Sequence, residues 1–395
     1  MTSTQSAGAI DSDPAYTLWQ LIRYALKLGT IGFGGPVALV GYMQRDLVES
    51  RRWISAADFK EGLTLAQLMP GPLAAQLAMY LGYVHYRILG ATLVGLAFVI
   101  PSFLMVVALG AAYVKYGGLT WMQAVFYGVG AAVIGIIAMS AYKLTTKNVG
   151  RDRLLWAIFL ASAAVTVITK SEVVWLFIGS GVLVWLLRAP PKWLSRGGMN
   201  SVAAPLAAWF AIDAIDWTKL GQIGAYFFYA GSFVFGSGLA IVPFLYSGVV
   251  QEYRWLTDRQ FVDAVAVAMI TPGPVVITTG FIGYIVSGFW GAVVAAVATF
   301  VPCYLLTILP APYFKKYGKR PGIVAFVDGV TAAAIGAIAG AVVVLGQRSI
   351  TDWVTAALAL VTVALLWRFR KLPEPAIVLV AALAGLLLHP FMVRP

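Results

Sequence analysis

Apolar stretches recur along the whole chain, each closed by charged, glycine-rich or proline-containing segments. Runs long enough to span a hydrocarbon core of about 30 Å, at about 1.5 Å per residue, lie near 18–43, 62–84, 88–114, 119–142, 154–169 and 172–188. A second series lies near 221–246, 262–286, 290–314, 323–346, 352–367 and 375–392. The pattern predicts an all-α polytopic membrane protein with twelve spans, or thirteen if 197–217 makes an extra crossing. Trp53, Trp121, Trp175, Trp193, Trp217, Trp255 and Trp367 sit at run ends, where an interfacial aromatic belt belongs.

The second series copies the first. Phe33-Gly34-Gly35-Pro36 aligns with Phe235-Gly236-Ser237-Gly238. At the same offset Arg52-Trp53 aligns with Arg254-Trp255, Glu61 with Asp263, and Pro70-Gly71-Pro72 with Pro272-Gly273-Pro274. After a one-residue gap, Gly82-Tyr83 aligns with Gly283-Tyr284, Pro101 with Pro302 and Gly128-Val129 with Gly329-Val330. This register predicts two homologous membrane domains of about six spans each, 16–190 and 221–395. A polar tail, 1–15, precedes them and a linker, 191–220, joins them. Plain alternation of twelve spans spreads Lys and Arg evenly over the two sides. An extra crossing at 197–217 gathers them on the side of the N-terminus, so the positive-inside rule favours inverted repeats with a cytoplasmic N-terminus.

Composition agrees with the pattern. The chain is 61% hydrophobic and 11% charged, where soluble domains carry about 25% charged residues. Its net charge of +12 is what cytoplasmic loops collect, and it also suits an anionic cargo. Nothing calls for a nucleic-acid partner. One cysteine, Cys303, and two histidines exclude a disulfide framework and a Cys/His metal site with several ligands. No GxxxxGK[ST], HExxH or Ser/His/Asp cluster is present, so no cofactor, ATP site or enzymatic chemistry is expected. The first fifteen residues have no basic segment leading into a short apolar core, so no cleaved signal peptide is expected.

The candidate chemistry lies in broken helices. Met69-Pro70-Gly71-Pro72 and Thr271-Pro272-Gly273-Pro274 each interrupt an apolar run, and two prolines around a glycine end a helix by removing donors and crowding the preceding turn. Pro70 lies about 14 Å along a helix from Glu61, which puts the break deep in the membrane. Broken backbone is tolerated there only where it is packed in protein or lines a cavity. The half-helix starting at each break presents free N–H groups and a positive dipole end, an anion site in waiting. Kinks that serve packing alone remain the alternative. The motifs with Gly34, Gly35, Gly236, Ser237 and Gly238 permit either close helix approach or a second interrupted segment facing the first, with Ser237 adding a hydroxyl.

Charged candidates are few. Arg23 and Lys27 are four residues apart on one helix face, either snorkelling to the interface or forming a cationic vestibule. Glu61 and Asp263 could couple protons or stabilise a helix start, and the latter is the expectation.

At these residues the sequence resembles the chromate ion transporter (CHR) family, in its long two-domain form, over about 16–390. Its marks stand here as Phe33-Gly34-Gly35-Pro36, Pro70-Gly71-Pro72, Phe235-Gly236-Ser237-Gly238 and Pro272-Gly273-Pro274. The resemblance implies a multi-pass protein of the bacterial plasma membrane that expels chromate and confers resistance to it. The second half departs from the pattern at Ser237 and Gly238. Sulfate shares chromate's shape and charge and stays an alternative cargo, as does a channel mechanism. Glycine-rich spans permit a homodimer.

Overall fold

The computed structural model describes residues 16–32, 35–116, 120–169, 173–190, 219–234, 241–317, 320–369 and 374–392, and among them it contains helices and no strand. The expected crossing at 197–217 lies outside the described residues.

In the first half, α1 (Leu18–Ile31) and α2 (Gly35–Met43, extended by a π-helical turn Gln44–Ser50) are followed by α3 (Ala56–Leu68) and α4 (Leu73–Tyr116). Then come α5 (Thr120–Asn148), α6 (Arg153–Thr169) and α7 (Val174–Arg188). The second half repeats this order as α8 (Lys219–Ser232), α9 (Ile241–Tyr246) with its π turn, α10 (Asp258–Ile270) and α11 (Thr278–Ile308). A short α12 (Ala311–Tyr317) precedes α13 (Pro321–Ser349), α14 (Trp353–Arg368) and α15 (Glu374–Met392). Equivalent caps start equivalent helices. Ser55 accepts from the Asp58 N–H at 3.0 Å before α3, and Thr257 from the Gln260 N–H at 3.3 Å before α10, satisfying donors that a helix start leaves open.

Four stretches are long and apolar enough to cross a membrane: Leu73–Tyr116, Gln123–Asn148, Val275–Phe314 and Pro321–Gln347. Arg153–Thr169, Trp175–Arg188, Trp353–Arg368 and Pro375–Leu388 are apolar but shorter, so four of the expected twelve or thirteen spans stand at full length among the described residues. The run at 18–43 shows why. The 14-residue α1 reaches only about 21 Å, and the chain then turns back. Tyr16 stacks on Trp53 at 5.1 Å, and the Arg51 guanidinium lies 5.7 Å from the Tyr24 ring. The next helix pair returns to the same place. The Tyr80 hydroxyl donates to Glu61 at 2.8 Å, and Tyr16 bonds His85 Nδ1 at 2.7 Å. Helical hairpins thus take the place of straight spans near 18–43 and 62–84.

The long α4 reverses at Arg87 (φ 52°, ψ −140°), and α11 reverses at Gly288 (φ 62°, ψ −154°). Beyond those turns the two second arms pack against each other. Thr92, early in one, bonds the Tyr304 hydroxyl, late in the other, at 2.5 Å, while Gly110, late in the α4 arm, lies against Tyr284, just ahead of the α11 turn. Equivalent segments therefore meet head to tail. The ends of the halves are exchanged: α6 and α7 pack on α13, and α14 and α15 pack on α5. The Ser162 hydroxyl donates to the Ala333 carbonyl at 2.7 Å, and Arg188 links Asp152 to Asp328. Each half is completed by helices of the other.

Candidate functional site

The two Pro-Gly-Pro breaks lie where the halves interlock. The Gly71 N–H donates to the Val234 carbonyl at 2.5 Å, and the Gly273 N–H donates to the Gly32 carbonyl at 3.1 Å. Gly32 and Val234 are equivalent residues, each directly ahead of its half's glycine motif. Each break is therefore pinned to the residue directly ahead of the glycine motif in the opposite half, a reciprocal pairing across the internal symmetry. Gly71 (φ 145°) and Gly273 (φ 98°) adopt backbone conformations that disfavour any residue with a Cβ. Of the motif residues, Gly35 opens α2, whereas Gly34, Gly236, Ser237 and Gly238 lie outside the described residues.

The carbonyls freed by the breaks are held differently in the two halves. Pro70 accepts from Gln76 Nε2 at 2.8 Å, within its own half. Pro272 accepts from Ser102 Oγ at 2.6 Å, and the same Oγ lies 3.3 Å from the Gly29 carbonyl. Ser102 thus ties the second break to the first half. Pro72 accepts from the Gln76 N–H, and Pro274 from the Ile277 N–H, both at 3.0 Å. The Thr271 hydroxyl donates back to Val267 at 2.6 Å and is committed to its own helix.

The donors ahead are not committed. Among the described residues, no acceptor pairs with the N–H groups of Leu73, Ala74 and Ala75, or with those of Val275 and Val276. All five residues are buried, and a buried unpaired amide costs about as much as a lost hydrogen bond. Gln76 is fully buried, and among the described residues its Oε1 has no partner. Swapping its amide atoms would set oxygen against the Pro70 carbonyl, so the amide orientation is fixed. The site thus offers neutral amide donors and no full charge, the chemistry that binds an oxyanion and still lets it leave.

The charged candidates lie elsewhere. Arg23 and Lys27 are exposed on α1 and share a groove with Arg51. Glu61 and Asp263 do not start their helices. Asp58 and Asp258 occupy the first turns of α3 and α10, so the expected helix-start role falls to them. Asp263, 4% exposed, instead accepts from the Tyr113 hydroxyl at 2.8 Å, a contact between halves. Glu61 is half-buried on Tyr80. Among the described residues no group of three His, Cys, Asp or Glu could hold a metal. Gln76 and Ser102 were missed in the sequence. The signal that could have found them is a polar side chain inside an apolar run, next to a proline break or one residue after Pro101.

Broken helices meeting crosswise between two copies of one membrane unit define the architecture of a transporter. The family model described as chromate transporter matches residues 19–185 and again 221–386, and the chain belongs to that family. It is 72% identical over 391 residues, 98% of both chains, to the chromate transport protein of Cupriavidus metallidurans. It is 64% identical to the probable chromate transport protein of Synechococcus elongatus, over 95% of this chain and 96% of that one. With the chromate transport protein of Pseudomonas aeruginosa it shares 31% identity, over 95% and 94% of the two chains. No solved structure matches.

Proposed function

We propose that the chain is a secondary transporter that expels chromate from the cytoplasm and so confers resistance to it. The observation that carries this is the reciprocal pairing of Gly71 with Val234 and of Gly273 with Gly32, which sets at one seam two helix starts whose amides have no acceptor among the described residues. The relatives named for chromate transport supply the cargo. Chromate sits at the two breaks, bound by backbone N–H groups of Leu73, Ala74, Val275 and Val276; Gly34, Gly35, Gly236, Ser237 and Gly238 are the further residues proposed to contact it. Pro70, Gly71, Pro72, Thr271, Pro272, Gly273 and Pro274 hold those groups in place.

The head-to-tail meeting of Thr92 with Tyr304 supports inverted repeats in the bilayer of a bacterial plasma membrane, with the N-terminus cytoplasmic. Alternating access follows from movement at the seam of α4 and α11. Because α6–α7 and α14–α15 ride on the opposite half, the moving bodies are composites of 16–190 and 221–395. An inside-negative potential repels a dianion outward and helps drive export. Neutral donors do not distinguish chromate from sulfate, so sulfate is the second cargo to test.

The test is chromate uptake into energised inside-out vesicles, with and without sulfate, for wild type and for Gly71→Leu and Gly273→Leu. Cr(VI) accumulation lost in both correctly inserted variants is expected. Sulfate movement without chromate movement by wild type would overturn the cargo, and single-channel currents without saturation would overturn the transporter mechanism.

A further inference from the structure

Along α1 runs a groove of about 660 Å³ whose lining includes Arg23, Lys27, Arg51, Tyr24, Thr30 and Trp53. Arg51 lies 4.5 Å over the Trp53 ring and 5.7 Å from that of Tyr24, which fixes its guanidinium beside the α1 face. Among the described residues none of the three cations forms an ion pair. Asp46, bonded to the Tyr24 hydroxyl at 3.4 Å, is already paired with Arg45 at 2.9 Å. The groove extends to Ile31. The next residue is Gly32, whose carbonyl receives the Gly273 N–H of the opposite break. Three cations with no ion pair among the described residues thus line the groove, which ends one residue short of Gly32.

The second half has the same scaffold without the charge. The positions equivalent to Arg23, Lys27 and Arg51 are Ala225, Tyr229 and Tyr253. Tyr253 stacks on Trp255 at 4.6 Å, with Tyr226 edge-on to both. The aromatic slot that holds a guanidinium in one half is filled by a phenol in the other.

We infer that the α1 groove is a one-sided collecting site for oxyanions, which loads the seam from the α1 face of the protein only. This rests on the transport function proposed above. A cleft lined by one sign of charge concentrates ions of the other sign and speeds their entry. The neutral aromatic twin has no such hold, so an ion reaching that side is released. The same cations could engage either a dissolved oxyanion or a phospholipid phosphate, and the test separates the two.

Chromate flux would be measured in inside-out and right-side-out vesicles for wild type, for the triple variant Arg23→Gln, Lys27→Gln, Arg51→Gln, and for the charge-retaining Lys27→Arg. From the groove side, the half-saturating chromate concentration of the triple variant is expected to rise roughly tenfold and to lose its dependence on salt, while the half-saturating concentration from the other side stays near wild type. Lys27→Arg, which keeps the charge, should keep the salt dependence. Equal rises from both sides, or no rise, would overturn the inference. In parallel, Lys27→Cys would be labelled with a membrane-impermeant anionic thiol reagent. The chain's own Cys303 is fully buried and silent in this assay. Sulfate should slow the labelling, and is used because chromate oxidises thiols. Labelling unaffected by sulfate, with a transport defect seen only in vesicles containing anionic lipid, would assign the groove to headgroups and sink the proposal. If wild type moved no chromate, the function proposed above would fall, while protection by sulfate would still decide the groove.

Discussion

At the mouth of the first helix pair Arg51 lies over Trp53 at 4.5 Å, and at the same step of the repeat Tyr253 stacks on Trp255 at 4.6 Å. The platform is the same and the occupant differs. Either a guanidinium or a phenol satisfies an aromatic face, so packing leaves the choice open and charge can be set independently on the two sides. The breaks show the same division. Both use a strained glycine and a reciprocal backbone bond, yet the Pro70 carbonyl is held from within its half by Gln76 and the Pro272 carbonyl from across the seam by Ser102. Symmetry supplies the scaffold, and single side chains break it.

That asymmetry can be tested step by step. The largest effect is expected at Gly273→Ala, where a Cβ would collide with Ser102 Oγ at φ 98°. It should cost about 3 kcal/mol in thermal unfolding and abolish flux. Gly71→Ala meets the Gln76 side chain at 2.5 Å and should cost less. Equal losses would show that the two breaks are interchangeable. Next, Tyr113→Phe removes the hydroxyl from the buried Asp263 and should cost about 2 kcal/mol, measured by denaturation in detergent. Tyr80→Phe, beside the half-buried Glu61, should cost less than about 1 kcal/mol, and the reverse order would place the more critical acid in the first half. Ser102→Ala leaves the Pro272 carbonyl buried without its donor, a loss of about 1.5 kcal/mol, and should loosen the seam between halves as read by cross-linking from α4 to α11. A further small change is Asp352→Ala. The Asp352 carboxylate accepts the Thr355 N–H at 2.8 Å at the start of α14 and the Tyr127 hydroxyl of α5 at 2.7 Å. Its loss should lower stability by about 1 kcal/mol, with chromate flux near normal.

Much of this was legible in one chain. The register linking Pro70-Gly71-Pro72 to Pro272-Gly273-Pro274 located both breaks, because proline and glycine act on the local backbone whatever surrounds them. The length of the run at 18–43 misled, since a hairpin with an apolar tip and a straight span have the same hydropathy. Contacts between the two ends of the run, such as Tyr24 with Asp46 and Tyr16 with Trp53, distinguish them. Glu61 and Asp263 were found by repeat matching, but their tyrosine partners lie 19 and 150 residues away, and no local pattern announces such a pairing.

The sequence by itself determined that the protein is helical, membrane-embedded and duplicated, and that each copy is broken at one fixed place. Those properties follow from apolar run length, repeat register and backbone restriction, all of them local or periodic. Tertiary structure alone decided that each break bonds the end of the first helix of the other copy, at Gly32 or Val234, that the terminal helix pairs are exchanged, and that three cations share one groove. These depend on which surfaces bury each other. Two copies with nearly the same apolar pattern could pack within themselves or crosswise, and the choice rests on close fits such as Gly110 against Tyr284 that hydropathy does not encode.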